Sequence, residues 1–192
     1  MGWRFLNSPA QTLFDARVAF IGLNPGGSGI DTTHGEFAMN TGCSAYRDES
    51  WAGYRAGKSR LQREVLSLFD RLGENPEAVL SGNLVPFRSP NWASLKDKRS
   101  AVRFGEQLWE QVLKRARPQI VVTMGVQATQ SIGHVLKIAN RFKTPIGWGA
   151  YTASKGRFDG GWHVGLPHLS TFTIMNRAKS KPYLDALFSF DD

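Results

Sequence analysis

The chain has one cysteine, Cys43, among 192 residues. An intramolecular disulfide, a cysteine-rich zinc site and a cysteine-held iron–sulfur cluster are therefore excluded. A cytosolic or nuclear-type reducing compartment is the simplest expectation. Long apolar runs are missing too, and none approaches the length of a bilayer span, so no membrane partner is expected. The start, Met1-Gly2-Trp3-Arg4-Phe5, lacks the long apolar core of a secretory signal. Acidic residues are few: 16 Asp and Glu stand against 24 Lys and Arg, a formal net charge of +8. A basic balance of this size suits a polyanionic partner. The cations gather at Lys96, Lys98, Arg99 and Arg103 and again at Arg177, Lys179 and Lys181. Neither group is a long run, so neither reads as a disordered tail.

Several familiar motifs are also lacking. The glycine-rich turn Asn24-Pro25-Gly26-Gly27-Ser28-Gly29 has neither the GK[ST] ending of a P-loop nor the GxGxxG spacing of a dinucleotide fold. Gly26-Gly27-Ser28-Gly29-Ile30 lacks the last glycine of a serine nucleophile elbow, and the turn itself carries Asn24 where that motif needs serine. His163 and His168 are too few and too oddly spaced to hold a metal without carboxylate help, so neither a metal nor another cofactor is expected.

What is present alternates strands and helices. Residues 18–23 form an apolar run of the kind buried in a parallel sheet, broken by Asn24-Pro25-Gly26. Residues 29–58 are long and irregular, which in a compact domain points to function. Ser59 caps a helix with Leu61, Val65, Leu68, Phe69 and Leu72 on one face and Gly73 at its end. Residues 82–87 read as a second strand, followed by a turn at 88–91. A helix follows over 105–117, ended by Pro118, then a third strand over 119–124. Gly125 opens another helix. Residues 143–161 are rich in glycine and aromatics and fit a small hairpin. Residues 163–166 form a fourth strand, and 181–190 a last helix. The order predicts one domain over residues 1–192: a three-layer α/β/α sandwich on a mostly parallel, four-stranded sheet.

In such sheets ligands bind at the carboxyl ends of the strands. Asn24 follows the first strand, Asn83 starts the second, and His168 with Ser170 follows the fourth. Each has a plain structural alternative: a turn-forming asparagine, a hydrogen-bonded strand amide, a satisfied loop histidine. Together with Gly26 and the basic charge they make a candidate site.

Gly22-Leu23-Asn24-Pro25-Gly26 resembles the first motif of the uracil-DNA glycosylase superfamily. It is closest to the mismatch-specific and single-strand-selective branches, which carry asparagine there. Pro167-His168-Leu169-Ser170 resembles the second motif, with Leu169 where proline is usual. Between them, Ala56-Gly57-Lys58-Ser59-Arg60-Leu61, Gly82-Asn83-Leu84-Val85-Pro86-Phe87-Arg88 and the stretch from Pro118 to Ala128 resemble segments of the cluster-carrying branches, although the cluster itself is excluded here.

The resemblance implies hydrolysis of the N-glycosidic bond of uracil, or a related base, flipped out of DNA, by a monomer in the cytoplasm beside the nucleoid or in a eukaryotic nucleus. It implies His168 as donor to the leaving base and Asn24 as the group orienting the attacking water. Gly22, Pro25, Gly26 and Asn83 would contact the base, and an aromatic ring would stack on it. Phe37 is the first choice for that ring, with Trp51 and Tyr54 as alternatives. Ser28, Arg88, Ser170, Arg177 and Lys179 would face the DNA backbone. A catalytically weak nucleic-acid-binding member of the same fold and a small-molecule or nucleoside hydrolase are the competing readings.

Overall fold

The computed structural model describes residues 2–26 and 37–190. It contains a single sheet of six strands. In chain order these are β1 Val18–Gly22, β2 Leu80–Asn83, β3 Ile120–Met124, β4 Phe142–Pro145, β5 Thr152–Phe158 and β6 Gly161–Leu166. Their spatial order is β2-β1-β3-β6-β5-β4. β2, β1, β3 and β6 are mutually parallel, and β5 and β4 continue the sheet antiparallel.

Alternate residues of the central strands feed two cores. Val18 and Phe20 of β1 point to one face and Ala19 and Ile21 to the other, and all four are fully buried. The first face is covered by α3 (Arg60–Arg71), through Val65, Leu68 and Phe69, and by α6 (Lys181–Leu187), through Leu184 and Leu187. The second is covered by α4 (Lys98–Ala116), through Trp109, Val112 and Leu113, and by α5 (Val126–Val135), through Ile132. Helices on both faces of one sheet give the expected three layers. Two short helices, α1 (Thr12–Asp15) and α2 (Ala45–Asp48), complete the six among the described residues.

The expected four-stranded sheet has six strands. The hairpin expected over 143–161 exists as β4 and β5, and it joins the sheet edge through β6. β4, Phe-Lys-Thr-Pro, is mostly exposed. An edge strand needs no buried apolar run, and its lysine and proline discourage further pairing.

The second strand begins two residues earlier than its apolar run predicts. Leu80 and Ser81 pair with Ala19 and Phe20, so Asn83 ends β2 instead of starting it. Leu84 and Val85 still donate to the carbonyls of Gly22 and Leu23 before Pro86 stops the ladder. α4 starts at Lys98, seven residues before its predicted start: Asp97 caps it by accepting from the Ser100 backbone N–H at 3.2 Å. Its first turn, Lys98-Arg99-Ser100, is polar, so the apolar pattern begins only at Ala101, which is buried. Gly105 lies inside α4, where a Cβ would fall 2.0 Å from the Leu84 carbonyl oxygen. The glycine is there for helix–strand contact. α6 ends at Leu187, with Phe188 and Phe190 still packed against the core. The Ser59 cap of α3 is as expected, and it forms a full capping box with Gln62.

Candidate active site

The carboxyl ends of β2, β1, β3 and β6 lie side by side, and the polar residues singled out from the sequence sit at or just beyond them. Asn83 ends β2. Asn24 stands two residues past β1, Gly125 directly after β3, and His168 two residues past β6. The parallel ladder thus brings together residues that are far apart in the chain.

Asn83 is held by its backbone. Its N–H donates to the Phe5 carbonyl at 3.3 Å, and its carbonyl accepts from the indole N–H of Trp109 at 2.8 Å. Trp109 is fully buried in α4. The Asn83 side chain leans over Gly22, where a Cβ would come within 2.9 Å of its Oδ1. Gly22 is therefore required as glycine for the amide to lie there. Asn83 is 7% exposed as a residue, no described residue hydrogen-bonds its side-chain amide, and that amide is not among the fully buried unpaired atoms, so it stays open to a ligand at the strand ends.

Asn24 is oriented by a residue the sequence reading passed over. Its Nδ2 donates to Ser89 Oγ at 2.9 Å, and that hydroxyl donates to the Asn91 carbonyl at 2.8 Å. A hydroxyl has one proton. Having given it to Asn91, Ser89 can only accept from Asn24, so the NH₂ faces Ser89 and the carbonyl oxygen Oδ1 is turned elsewhere. Ser89 is buried. The turn is tied down at two further points: the Ser89 N–H donates to the Pro25 carbonyl at 3.3 Å, and Arg88 Nη2 to the Gly26 carbonyl at 3.2 Å. Pro25 is buried and Gly26 exposed, with nothing within 4 Å of where its Cβ would be. The only advance signal for Ser89 was the turn chemistry of residues 88–91.

The loop after β6 alternates. Leu169 is fully buried in the core, leaving His168 and Ser170 half exposed on either side of it. The leucine in place of the usual proline thus serves as the loop's anchor. His168 Nδ1 lies 3.3 Å from the Ser170 backbone nitrogen and 2.7 Å from Ser170 Oγ. A backbone N–H can only donate, so Nδ1 is an acceptor and the neutral ring carries its proton on Nε2. Burial lowers the His168 pKa below its ordinary value, which keeps the ring neutral near pH 7. Gly125 lies beside the ring, where a Cβ would be in ordinary contact 3.8 Å from His168 Cδ2, and it is its φ of +93° that calls for glycine. Ser170, expected to face DNA, also hydrogen-bonds the histidine.

The three candidate stacking rings have different surroundings. Trp51 donates from its indole N–H to Glu49 Oε2 at 2.8 Å and meets Tyr46 edge-on at 5.3 Å between ring centroids. Glu49 in turn receives both guanidinium nitrogens of Arg4, at 2.7 and 2.8 Å. Trp51 is committed to that packing. Tyr54 is exposed, in the turn after Trp51. Phe37 is 47% exposed, and its carbonyl accepts from the N–H of Leu6, which bridges Gly82 next to Asn83. Of the basic residues, Arg177 lies over the Trp148 ring at 4.4 Å and Lys179 is exposed. Ser28 lies outside the described residues.

An α/β/α sandwich with polar groups converging at the ends of its parallel strands is the architecture of a ligand-binding or catalytic domain. The model of the uracil DNA glycosylase superfamily matches residues 9–189, and the chain belongs to that superfamily. Comparison with curated proteins finds no match. Among the described residues no helix is long and apolar enough to cross a membrane.

Proposed function

We propose that the chain is a DNA-repair glycosylase that hydrolyses the N-glycosidic bond of uracil, or of a closely related damaged base, flipped out of DNA. Family membership supports a DNA glycosylase, and we read the asparagine of the first motif as that of the mismatch-specific and single-strand-selective branches. The observation that carries the reading is the Asn83 amide, set at the strand ends with no hydrogen bond from any described residue. An amide offers one donor edge and one acceptor edge. Those suit the O4 and N3–H of uracil. Flipping costs a few kcal/mol and is cheapest for a mispaired or unpaired base, so hydrogen bonds of this kind must help offset it.

The reaction needs a placed water and an outlet for negative charge. Asn24 is no proton acceptor at neutral pH, but its Oδ1, turned away from Ser89, accepts a hydrogen bond from the water and aims it at the sugar carbon. The leaving base takes up the bonding electrons, charge builds on its carbonyl oxygen, and the proton lost by the attacking water passes through solvent to the departing base anion. Neutral His168 presents an Nε2–H donor for that oxygen, with Nδ1 held by Ser170. Phe37 supplies the ring against the base. Arg88, Arg177 and Lys179, with Ser28, supply contacts to phosphate.

Replacing His168 by alanine tests this most directly. A lost donor to a developing anion costs about a hundredfold in rate. Single-turnover base release from a deoxyuridine strand should fall by that order, and the loss should shrink for 5-fluorouracil, whose anion needs less help. A uniform loss for every base, tracking a lower melting temperature, would make His168 structural and favour a binding role for the fold.

A further inference from the structure

The β4–β5 loop, which the proposed reaction does not use, builds an aromatic platform beside the second motif. The antiparallel ladder pairs Ser154 of β5 with Gly165 of β6. The loop preceding β5 therefore leaves the sheet at the edge from which the His168 segment emerges. In that loop Tyr151 lies 4.4 Å from Phe172 between ring centroids, and Trp148 meets Phe172 edge-on at 5.9 Å. Phe172 belongs to the His168 segment, its N–H donating to the His168 carbonyl at 3.0 Å. Arg177 covers the Trp148 ring at 4.4 Å.

The loop is fixed in place. Gly147, at φ +67°, lets its backbone press on the Lys179 carbonyl, where a Cβ would come within 2.3 Å of the oxygen. The Tyr151 N–H donates to the Trp148 carbonyl at 3.2 Å. Trp148 and Phe172 reach the core, whereas Tyr151 stays 54% exposed. An exposed ring held on a second ring gains little from burial, but it presents a flat π surface. Cations are tied to the same two segments: Arg177 over the Trp148 ring, Lys179 with its backbone against Gly147, and Arg60, which donates to the Thr171 carbonyl at 2.9 Å. A flat ring next to cations matches a nucleobase on its phosphate backbone. A base in a duplex, even beside a flipped one, is held in the stack by its pairing partner, so an unpaired base, free to turn outward, is the one that can lie on an exposed surface ring.

We propose that Tyr151, backed by Phe172 and Trp148, stacks an unpaired nucleobase neighbouring the flipped one, so that the protein holds single-stranded or locally opened DNA. The inference rests on the glycosylase reading for the position of the flipped base.

Binding of fluorescently labelled oligonucleotides tests it. The probes are a single strand with one deoxyuridine, that strand annealed to its complement, and a strand whose positions flanking the deoxyuridine are baseless spacers. Base–aromatic stacking contributes about 1–3 kcal/mol per base. Tyr151→Ala should therefore weaken single-strand binding by about 5- to 100-fold and duplex binding far less. Tyr151→Phe should bind as the wild type does. The spacer strand should bind the wild type weakly and be indifferent to Tyr151→Ala. Unchanged single-strand binding by Tyr151→Ala, an equal loss on the spacer strand, or an equal loss on the duplex would each overturn the platform. Base release by the wild type, followed on the same deoxyuridine strand, reports separately on the reaction. Its absence with the binding pattern intact would remove the glycosylase reading and leave the platform standing.

Discussion

At the scale of single residues, the candidate site depends on hydrogen bonds that settle which atom faces the substrate. Asn24 alone could point either its oxygen or its NH₂ at the water; Ser89 removes the choice by spending its proton on Asn91. Ser89 thus acts as a positioning residue. Ser89→Ala should slow single-turnover base release about five- to tenfold, the equivalent of one hydrogen bond of roughly 1 kcal/mol. The informative comparison is the double variant. If Ser89 works only through the amide, adding Ser89→Ala to Asn24→Ala should cost nothing further. Additive losses would mean that Ser89 supports the loop in general and does not orient Asn24. The sequence displayed Asn24, Asn83 and His168 because polar residues at the ends of apolar runs stand out. It hid Ser89 and Trp109, because a serine in a turn and a tryptophan on a helix stripe look the same whatever they bond.

At the scale of elements, the buried parallel strands and the amphipathic stretches were legible because burial writes a pattern. β1 is apolar throughout and β3 is so apart from Thr123, and α3 shows both its stripe and its cap. What was hidden lacked that pattern: the polar first turn of α4, the exposed edge strand β4, and the register of β2, which hydrogen bonding to β1 decides. α3 also has a second function that its stripe does not advertise. Arg60, Glu64 and Ser67, spaced one turn apart, all bind the segment after His168. Arg60 donates to the Thr171 carbonyl at 2.9 Å, the Met175 N–H donates to Glu64 at 2.9 Å, and Asn176 Nδ2 donates to Ser67 Oγ at 2.8 Å. Glu64 is buried, and desolvation raises its pKa, with the backbone N–H groups pulling the other way. Glu64→Ala should cost about 1–3 kcal/mol of stability by stranding a buried N–H. Glu64→Gln keeps an acceptor oxygen in place and should cost clearly less. Equal losses in urea denaturation would show that the charge of Glu64, and not its hydrogen bond, holds the loop.

At the scale of the whole molecule, pH stability is set by groups that burial has moved from their ordinary pKa. The clearest case is His163, inside β6. Desolvation, aided by the positive charge of Arg141, lowers its pKa to about 3. Its Nε2 lies 2.9 Å from Thr123 Oγ1, and among the described residues nothing bonds its buried Nδ1. The unfolded chain takes up this proton near pH 6.5 and the folded chain only near 3. Between those values the unfolded state binds more protons, so stability falls as the pH falls, by up to about 1.4 kcal/mol per pH unit. His168, also lowered, adds to the slope, whereas Glu64, raised, opposes it. His163→Gln keeps a polar group beside Thr123 and removes the titration. Its stability near pH 7 should be somewhat lower than the wild type's. Its loss between pH 6 and pH 4.5 should be shallower, so the two stability curves converge toward acid. Parallel curves across that interval would show that other groups carry the acid sensitivity and that His163 is accommodated as readily charged as neutral.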